Sequence, residues 1–494
     1  MSQPWRDPDE SVEKAHECYE AGRWREAEEL LRQALSQQPD RAEWHFNLGM
    51  TLEAAEKYAE AAEAFGDAAK HSKPEESTPW VACAVNHLRA EQPEKAVTPL
   101  ERARRLDADR SDVFVHSIEA YSRTGRHDDA EEMFYRALQL EGHHGDAYAN
   151  MGEATIERLA AERDAARARG EEMDEKRLRS GYERAAGCFR ESMKLAASEE
   201  ADDSRSAPPS RVAARLAYCL QRQGKLDEAR EWYLRDLREN PGDADTLLDL
   251  GECLVESGRL AEAADKFRRV LELEPDHVDA LMALGTLALR RNKDAAAAKR
   301  FARVLRLAPE HPEAGLRLAR ALLSKGDRAR ARATLSRQVS ALRRARAEAA
   351  IDKKPLEPER WPRERLSELG ALLLEAEMPR QAAFALARAV RMSPKNARDL
   401  HHLGVALLQV GMQRRGLMAE RRAVRLDPTI PEAWHNLALA AIRDAKWARA
   451  RVYLEKARAL APNDPNVRRL AALYRVERVV GPLRRLWPGR RRQA

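Results

Sequence analysis

The chain has 494 residues, of which 44% are hydrophobic and 34% are charged, and its formal net charge is +6. This composition excludes a chain embedded in a membrane and a chain that is disordered throughout. The first residues lack the basic-then-apolar order of an export signal, and no run of 18 apolar residues occurs. We therefore expect a cytoplasmic protein.

Charge is distributed unevenly along the chain. Residues 1–250 contain 36 basic and 53 acidic residues, whereas residues 251–494 contain 51 basic and 28 acidic residues. Such a field steers oppositely charged partners to the two ends or draws two copies together head to tail. Head-to-tail self-association is one prediction, and a solvated surface with a drift in composition is the alternative.

The cysteines are odd in number, widely separated and never arranged as Cys-x-x-Cys. They are Cys18, Cys83, Cys188, Cys219 and Cys253. This pattern is typical of reduced core thiols and not of a disulfide framework or a metal site.

A period of 34 residues recurs through the chain. An alanine series, Ala229, Ala263, Ala297 and Ala331, has this spacing, and so do two series of prolines, Pro241, Pro275, Pro309 and Pro394, Pro428, Pro462. Within each period apolar residues recur at helical spacing, a glycine often follows them, and the proline closes the unit. Each unit is therefore predicted to contain two short helices. The turn glycines are Gly22, Gly125, Gly224, Gly258, Gly326 and Gly411.

A motif of the form large-x-x-Leu-Gly/Ala marks the first helix of the units. It occurs as Leu247-x-x-Leu250-Gly251, Leu281-x-x-Leu284-Gly285, Leu366-x-x-Leu369-Gly370 and Trp434-x-x-Leu437-Ala438. The pattern resembles the tetratricopeptide repeat over almost the whole chain. The resemblance implies an all-α fold, a right-handed α-solenoid (superhelix) of about twelve helix-turn-helix repeats plus a C-terminal capping helix.

The period breaks at three places, which predicts the following organisation in chain order. Residues 8–197 form repeats 1–5, with a helical-hairpin insertion at 159–181 that turns near Gly170, and residues 198–210 form a flexible linker. Residues 211–350 form repeats 6–9 with an extended last helix, and residues 351–362 form a proline-containing loop. Residues 363–480 form repeats 10–12 and the capping helix, which ends near Val480, and residues 481–494 form a basic tail.

Two further features concern packing. The eighth position of eleven of the twelve units is Gly or Ala, which predicts close approach of two helices, while large neighbours fill the grooves. In the eleventh unit Gly416 replaces the usual alanine, and Glu420 occupies the position of an aromatic residue. We expect this helix to be the least well packed.

Sequence motifs for phosphate binding, zinc-dependent hydrolysis or a nucleophilic serine are missing from the sequence. The repeats also leave no room for a separate catalytic domain. We expect neither an enzyme nor a cofactor. His401, His402 and His435 fall close together in the repeat, and imidazoles can bind zinc, but no cysteine or carboxylate of ligand spacing joins them. We expect no metal and assign these histidines to a polar groove.

The resemblance implies that first helices line a concave groove in which partners bind. Candidate partner-binding residues there are Asn150, Glu153, Arg215, Tyr218, Asp249, Glu252, Arg317, Arg320, His401, His402, His435 and Asn436. Their mixed charges would suit extended or helical segments of protein partners, so the predicted function is a scaffold or adaptor. The alternative for each residue is simple solvation.

The last residues contain five arginines among Leu483, Leu486 and Trp487. Such a tail can make weak contacts with phosphates or anionic lipids, or remain solvated. The alternative function for the whole chain is binding of nucleic acid or an anionic membrane surface through the basic C-terminal half.

Overall fold

The computed structural model describes residues 8–140, 144–169, 171, 173–199, 211–351 and 361–486. Residues 200–210 of the predicted linker, 352–360 of the predicted loop, 487–494 of the basic tail and the predicted turn at Gly170 lie outside the described residues. The chain divides into two compact units, residues 1–266 and 267–494.

All regular structure in the described residues is helical, with no strand. The helices of the first unit are α1 (Pro8–Glu20), α2 (Trp24–Gln37), α3 (Ala42–Ala54), α4 (Tyr58–His71), α5 (Thr78–Arg89), α6 (Pro93–Leu106), α7 (Ser111–Arg123), α8 (His127–Ala137), α9 (His144–Ala168), α10 (Glu175–Glu199), α11 (Val212–Arg222), α12 (Leu226–Glu239) and α13 (Ala244–Glu256). The division between the units falls within α14 (Leu260–Leu273).

The helices of the second unit continue the alternation. They are α15 (Val278–Arg290), α16 (Asp294–Leu307), α17 (Pro312–Ser324), α18 (Arg328–Ile351), α19 (Arg363–Glu375), α20 (Pro379–Met392), α21 (Ala397–Gln409), α22 (Gln413–Leu426), α23 (Pro431–Arg443), α24 (Trp447–Leu460) and α25 (Pro465–Leu486). Odd-numbered helices are the first helices of the repeats and even-numbered helices are the second. The predicted all-α repeat solenoid is confirmed.

A left-handed residue joins the two helices of most repeats. The six predicted turn glycines all have positive φ, from 71° at Gly22 to 91° at Gly411, which confirms their role. Glycine adopts this conformation without the steric cost that a Cβ imposes. In repeats without glycine the same position is occupied by Glu56, Glu91, Asn292, Glu377 and Ala445, all with φ between 54° and 59°.

Close contact between the two helices of a repeat depends on the small residue at the eighth position. A Cβ added to Gly49 would lie 2.7 Å from the ring of Phe65, and one added to Gly285 would lie 2.6 Å from that of Phe301. The aromatic ring of the second helix therefore lies directly on the backbone of the first, which explains why the period keeps both positions.

The core runs between the helix layers of each unit. In the first unit it includes Leu31, Trp44 and Phe65, and in the second it includes Phe301 and Leu335. Because each cluster joins helices of neighbouring repeats, no repeat buries its apolar face alone.

Four helices are much longer than the 11 to 14 residues of the others. Helices α9 and α10 have 25 residues each, α18 has 24 and α25 has 22. The extra turns of α9 and α10 pack against each other, since a Cβ on Gly181 would lie 2.5 Å from the side chain of Leu159. Helix α25 continues past Val480 and Pro482 to Leu486, so it ends later than the sequence predicts.

The thiols lie mainly in the core. Cys18, Cys83, Cys219 and Cys253 are buried, and burial raises the pKa of Cys219 to about 12. Helices in the described part of the chain never combine the length and the apolar character needed to cross a membrane.

Candidate functional site

Polar side chains on consecutive first helices form hydrogen bonds with each other in both compact units. Asn86 on α5 donates to Glu53 on α3 at 3.0 Å, Gln221 on α11 donates to Glu256 on α13 at 3.0 Å, and Ser367 on α19 donates to Asp399 on α21 at 2.6 Å. These groups are separated by 32 to 35 residues, which is close to one repeat. Much of the polar surface of the first helices is therefore already engaged within the chain.

Arg215 is the centre of the candidate surface in the first unit. Its Nε donates to Glu153 on α9 at 2.5 Å and its Nη2 donates to the other carboxylate oxygen. The guanidinium also lies 5.6 Å from the ring centre of Tyr218. A bidentate pair that is held against an aromatic ring has a fixed geometry. Asn150, from the same predicted set, donates instead to the carbonyl of Val115 at 3.0 Å.

Asp249 on α13 lies next to this pair and is half-buried. Burial, followed by the negative charge of Glu252, raises the pKa of Asp249 to about 6, although Arg215 opposes the shift. Within the described residues no hydrogen bond or ion pair reaches the Asp249 carboxylate. Asp249 therefore carries a negative charge at neutral pH that the folded chain does not neutralise well.

A cavity of about 220 Å³ opens between α1, α2 and α3. It has mixed but mainly apolar walls. The lining residues are Val12, Ala15, His16, Tyr19, Leu31, Asn47, Met50 and Thr51. The cavity lies mainly on the first helices of the first two repeats, and it can hold an apolar side chain.

In the second unit the two predicted arginines are engaged in ion pairs. Arg317 donates to Glu313 at 2.7 Å and to the hydroxyl of Thr286, and Arg320 donates to Glu368 at 2.7 Å. These contacts join α15, α17 and α19. Both arginines therefore already have partners in neighbouring repeats of the free chain.

A buried carboxylate joins two of the predicted groove residues. The side chain of Glu420 on α22 has no exposed surface, its Oε2 lies 2.9 Å from Nδ1 of His401 on α21, and its Oε1 accepts from Asn436 on α23 at 2.8 Å. Burial raises the pKa of Glu420, although His401 and Asn436 favour its charged form. This network lies where other repeats place an aromatic ring or a leucine.

The remaining two histidines flank this network. The rings of His401 and His402 have centres 5.6 Å apart, and burial, followed by the charge of His401, lowers the pKa of His402. Burial also lowers the pKa of His435, and its Nδ1 is buried without a hydrogen-bond partner. In the described residues no cluster of three or more His, Cys, Asp or Glu side chains could hold a metal ion.

The expectation that α22 is the least well packed helix rested on Gly416 and Glu420, and both residues make close contacts. A Cβ on Gly416 would lie 2.7 Å from Leu408 and 3.0 Å from the carbonyl oxygen of Gly404. Gly416 is buried, because the missing side chain lets α22 approach the backbone of α21. Glu420 fills the aromatic position as a bonded carboxylate and not as a packing defect.

Sequence reasoning missed the partner that unites this region. His401 and Asn436 are 35 residues apart, and the structure joins them through Glu420. The signal was present as an acidic residue at an aromatic position, flanked by polar residues on the first helices before and after it.

Comparisons with known proteins match two parts of the chain. Residues 12–77 match the family model described as tetratricopeptide repeat, and residues 213–342 match that of the cilia and flagella-associated protein 70 middle TPR-like domain. The search of curated proteins found no significant match.

Solved structures to which this chain is similar have low sequence identity to it. They include the anaphase-promoting complex hetero-tetramer Cut9-Hcn1 (15% identity, 95% of this chain and 96% of that chain, TM-score 0.37) and yeast Tom70 (13%, 97% and 96%, TM-score 0.33). Another is pilF of Pseudomonas aeruginosa (18%, 47% and 92%, TM-score 0.37). None of these three reaches a TM-score of 0.5.

Proposed function

We propose, from the premise that the chain is a tetratricopeptide-repeat protein, that it is a non-catalytic scaffold whose first helices bind extended or helical segments of protein partners. Repeats of this kind support protein interaction in general. Groove binding and the type of segment are the proposal.

One observation carries it: the half-buried carboxylate of Asp249 has no hydrogen-bond or ion-pair partner among the described residues. A half-buried acidic group with a raised pKa is costly in the free protein, and a cation from a partner would reduce that cost. The neighbouring Arg215 and Glu153 already satisfy each other, so Asp249 is the group that remains for a partner's lysine or arginine. The cavity between α1, α2 and α3 supports the same function, since it can take an apolar side chain.

Site-specific photo-crosslinking in the full chain tests the proposal. A benzophenone amino acid is placed at Val405, at the ninth position of a first helix, or at Val452, which is 51% exposed on the second helix α24. We expect crosslinked partner peptides at position 405 and few at position 452. Crosslinks confined to position 452 would contradict groove binding.

A second arm tests the role of Asp249. Partners recovered by the wild-type chain are measured against Asp249→Asn, with the exposed Glu239→Gln as a control that removes the same charge. We expect affinity to fall about tenfold for Asp249→Asn only, which is the loss of one good charge contact. Equal affinities for the two variants would exclude Asp249 from the binding site.

A further inference from the structure

The second helices of the second unit carry a strong excess of positive charge. Helices α18, α20, α22 and α24 contain 19 Arg and Lys residues and three Glu residues. One of the three, Glu420, is fully buried. Arg337, Arg388, Arg422 and Lys456 occupy the same place on the four helices, six residues after Ala331, Ala382, Gly416 and Ala450.

Two guanidinium groups of α18 lie against an aromatic ring of α20. Arg343 and Arg346 lie 5.4 Å and 5.9 Å from the ring centre of Phe384. Arg388 follows Phe384 by one helical turn, and its Nε is buried without a hydrogen-bond partner. Burial, followed by the positive charges of Arg346 and Arg391, lowers the pKa of Arg388.

Within the described residues, no carboxylate pairs with Arg346, Arg388 or Arg391. Other arginines of α18 do have partners, for example Arg344 with Glu310 and Arg332 with Glu377. Like charges held together repel, and a buried N–H without an acceptor adds a further cost, so the cluster favours a ligand with anionic oxygens.

We propose that this arginine surface, formed by Arg343, Arg346, Arg388, Arg391 and Arg422, binds an acidic segment of a protein partner. Guanidinium groups recognise carboxylates and phosphates in bidentate geometry, so the segment carries acidic or phosphorylated side chains. The surface lies on second helices, so this inference goes beyond groove binding and does not depend on it.

The apolar neighbours favour a peptide over a nucleic acid. Nucleic-acid strands bind to basic surfaces that also offer aromatic rings for base stacking. Here the ring of Phe384 is already covered by two guanidinium groups. Exposed apolar side chains on α22 are Met418, one helical turn before Arg422, and Leu426, one helical turn after it. A segment with acidic and aliphatic residues side by side matches this arrangement.

The test is fluorescence anisotropy with the full chain and a labelled 20-residue peptide of Glu and Leu. A second peptide has phosphoserine in place of Glu and distinguishes the two sources of anionic oxygens, and a third has Ser in place of Leu. We expect the Glu/Leu or the phosphoserine peptide to bind, more weakly at higher salt, and the peptide without Leu to bind less well.

Two double variants remove the same charge from different places. Arg346→Ser with Arg391→Ser changes the arginine surface, and Arg449→Ser with Arg458→Ser changes exposed, unpaired arginines of α24. We expect a loss of affinity of tenfold or more for the first and less than twofold for the second. Arg391→Glu alone, which leaves the contact of Arg346 with Phe384 intact, should reproduce the loss if the first variant unfolds more easily.

Two outcomes would overturn the proposal. Equal losses in both double variants would mean that the peptide senses the overall field and not this cluster. Tighter binding of a 20-nucleotide single-stranded RNA or of phosphatidylserine vesicles, with displacement of the peptide, would assign the surface to nucleic acid or membrane instead.

Discussion

Nδ1 of His401 lies 2.9 Å from Oε2 of Glu420, and the glutamate side chain has no exposed surface. The pair is completed by Asn436, so three consecutive helices, α21, α22 and α23, meet at one carboxylate. A buried acidic group is tolerated when every oxygen has a donor, and it becomes costly when one donor is removed.

We expect His401→Ala to destabilise α21–α23 by about 3 kcal/mol, because it leaves one oxygen of the buried carboxylate without its hydrogen-bond partner. Hydrogen exchange of amides in these helices measures the loss locally, which is necessary in a repeat protein that does not unfold in one step. The control is His402→Ala, for which we expect about 1 kcal/mol or less. Equal effects of the two substitutions would mean that the contact with Glu420 is energetically unimportant.

Asp249 predicts a pH-dependent stability of α13. Its pKa is about 6 in the folded chain against an ordinary value of 3.8, so the folded state binds the proton more tightly between these pH values. Stability then falls as the pH rises from about 4 to about 6. Asp249→Asn should be more stable than the wild type above pH 6, by up to about 3 kcal/mol, and similar to it below pH 4.

Hydrogen exchange of α12 and α13 between pH 4 and pH 8 measures this difference. Glu239→Gln is exposed and serves as the control, with no expected change in the slope. A gain for Asp249→Asn that is the same at every pH would contradict the assignment.

Two glycines of the paired helices α9 and α10 should respond oppositely to alanine. A Cβ at Gly152 would lie 2.7 Å from the ring of Phe189, whereas a Cβ at Gly187 would meet nothing within 4 Å. We expect Gly152→Ala to destabilise the pair by about 1–3 kcal/mol through overpacking, and Gly187→Ala to stabilise it by about 1 kcal/mol through helix propensity. Hydrogen exchange of the amides of α9 and α10 in the two variants distinguishes these effects, and stabilisation by both would show that Phe189 can move away.

Ala445 has φ of 56°, a conformation in which its Cβ is strained. We expect Ala445→Gly to stabilise the junction of α23 and α24 by about 1 kcal/mol. Asn292, with φ of 54°, is the control, because asparagine tolerates this region and Asn292→Gly should change stability little. Urea unfolding, with hydrogen exchange of the amides as the readout, measures both effects. A loss of stability in Ala445→Gly would indicate that the alanine methyl group packs against its neighbours.

The repeat architecture could be predicted because its signals are local. The 34-residue spacing, the small residue at the eighth position and the turn glycines each predict a local feature of the fold. The positive φ of Gly411 and the contact of Gly285 with Phe301 are examples. The site could not be predicted to the same depth. A groove position says which way a side chain points, but not whether a neighbouring repeat already occupies it.

Arg320 and Glu420 illustrate that limit. The sequence places Arg320 on the groove surface, and only the structure shows that Glu368 engages it. Likewise the charge of Glu420 at an aromatic position indicates a defect until the donors on either side are located in space. Contacts between helices that are not adjacent in the chain decide both cases.

The hydrogen bonds between side chains of successive first helices mean that the repeats cannot simply be exchanged for one another. Glu53 accepts a hydrogen bond from Asn86, and Asp399 accepts one from Ser367, each in the neighbouring repeat. A repeat moved to another place, or exchanged for a consensus sequence, would leave one half of such a pair facing an unmatched side chain. Order along this chain is therefore encoded pair by pair, and engineering that shortens, lengthens or shuffles it must move both members of each pair together.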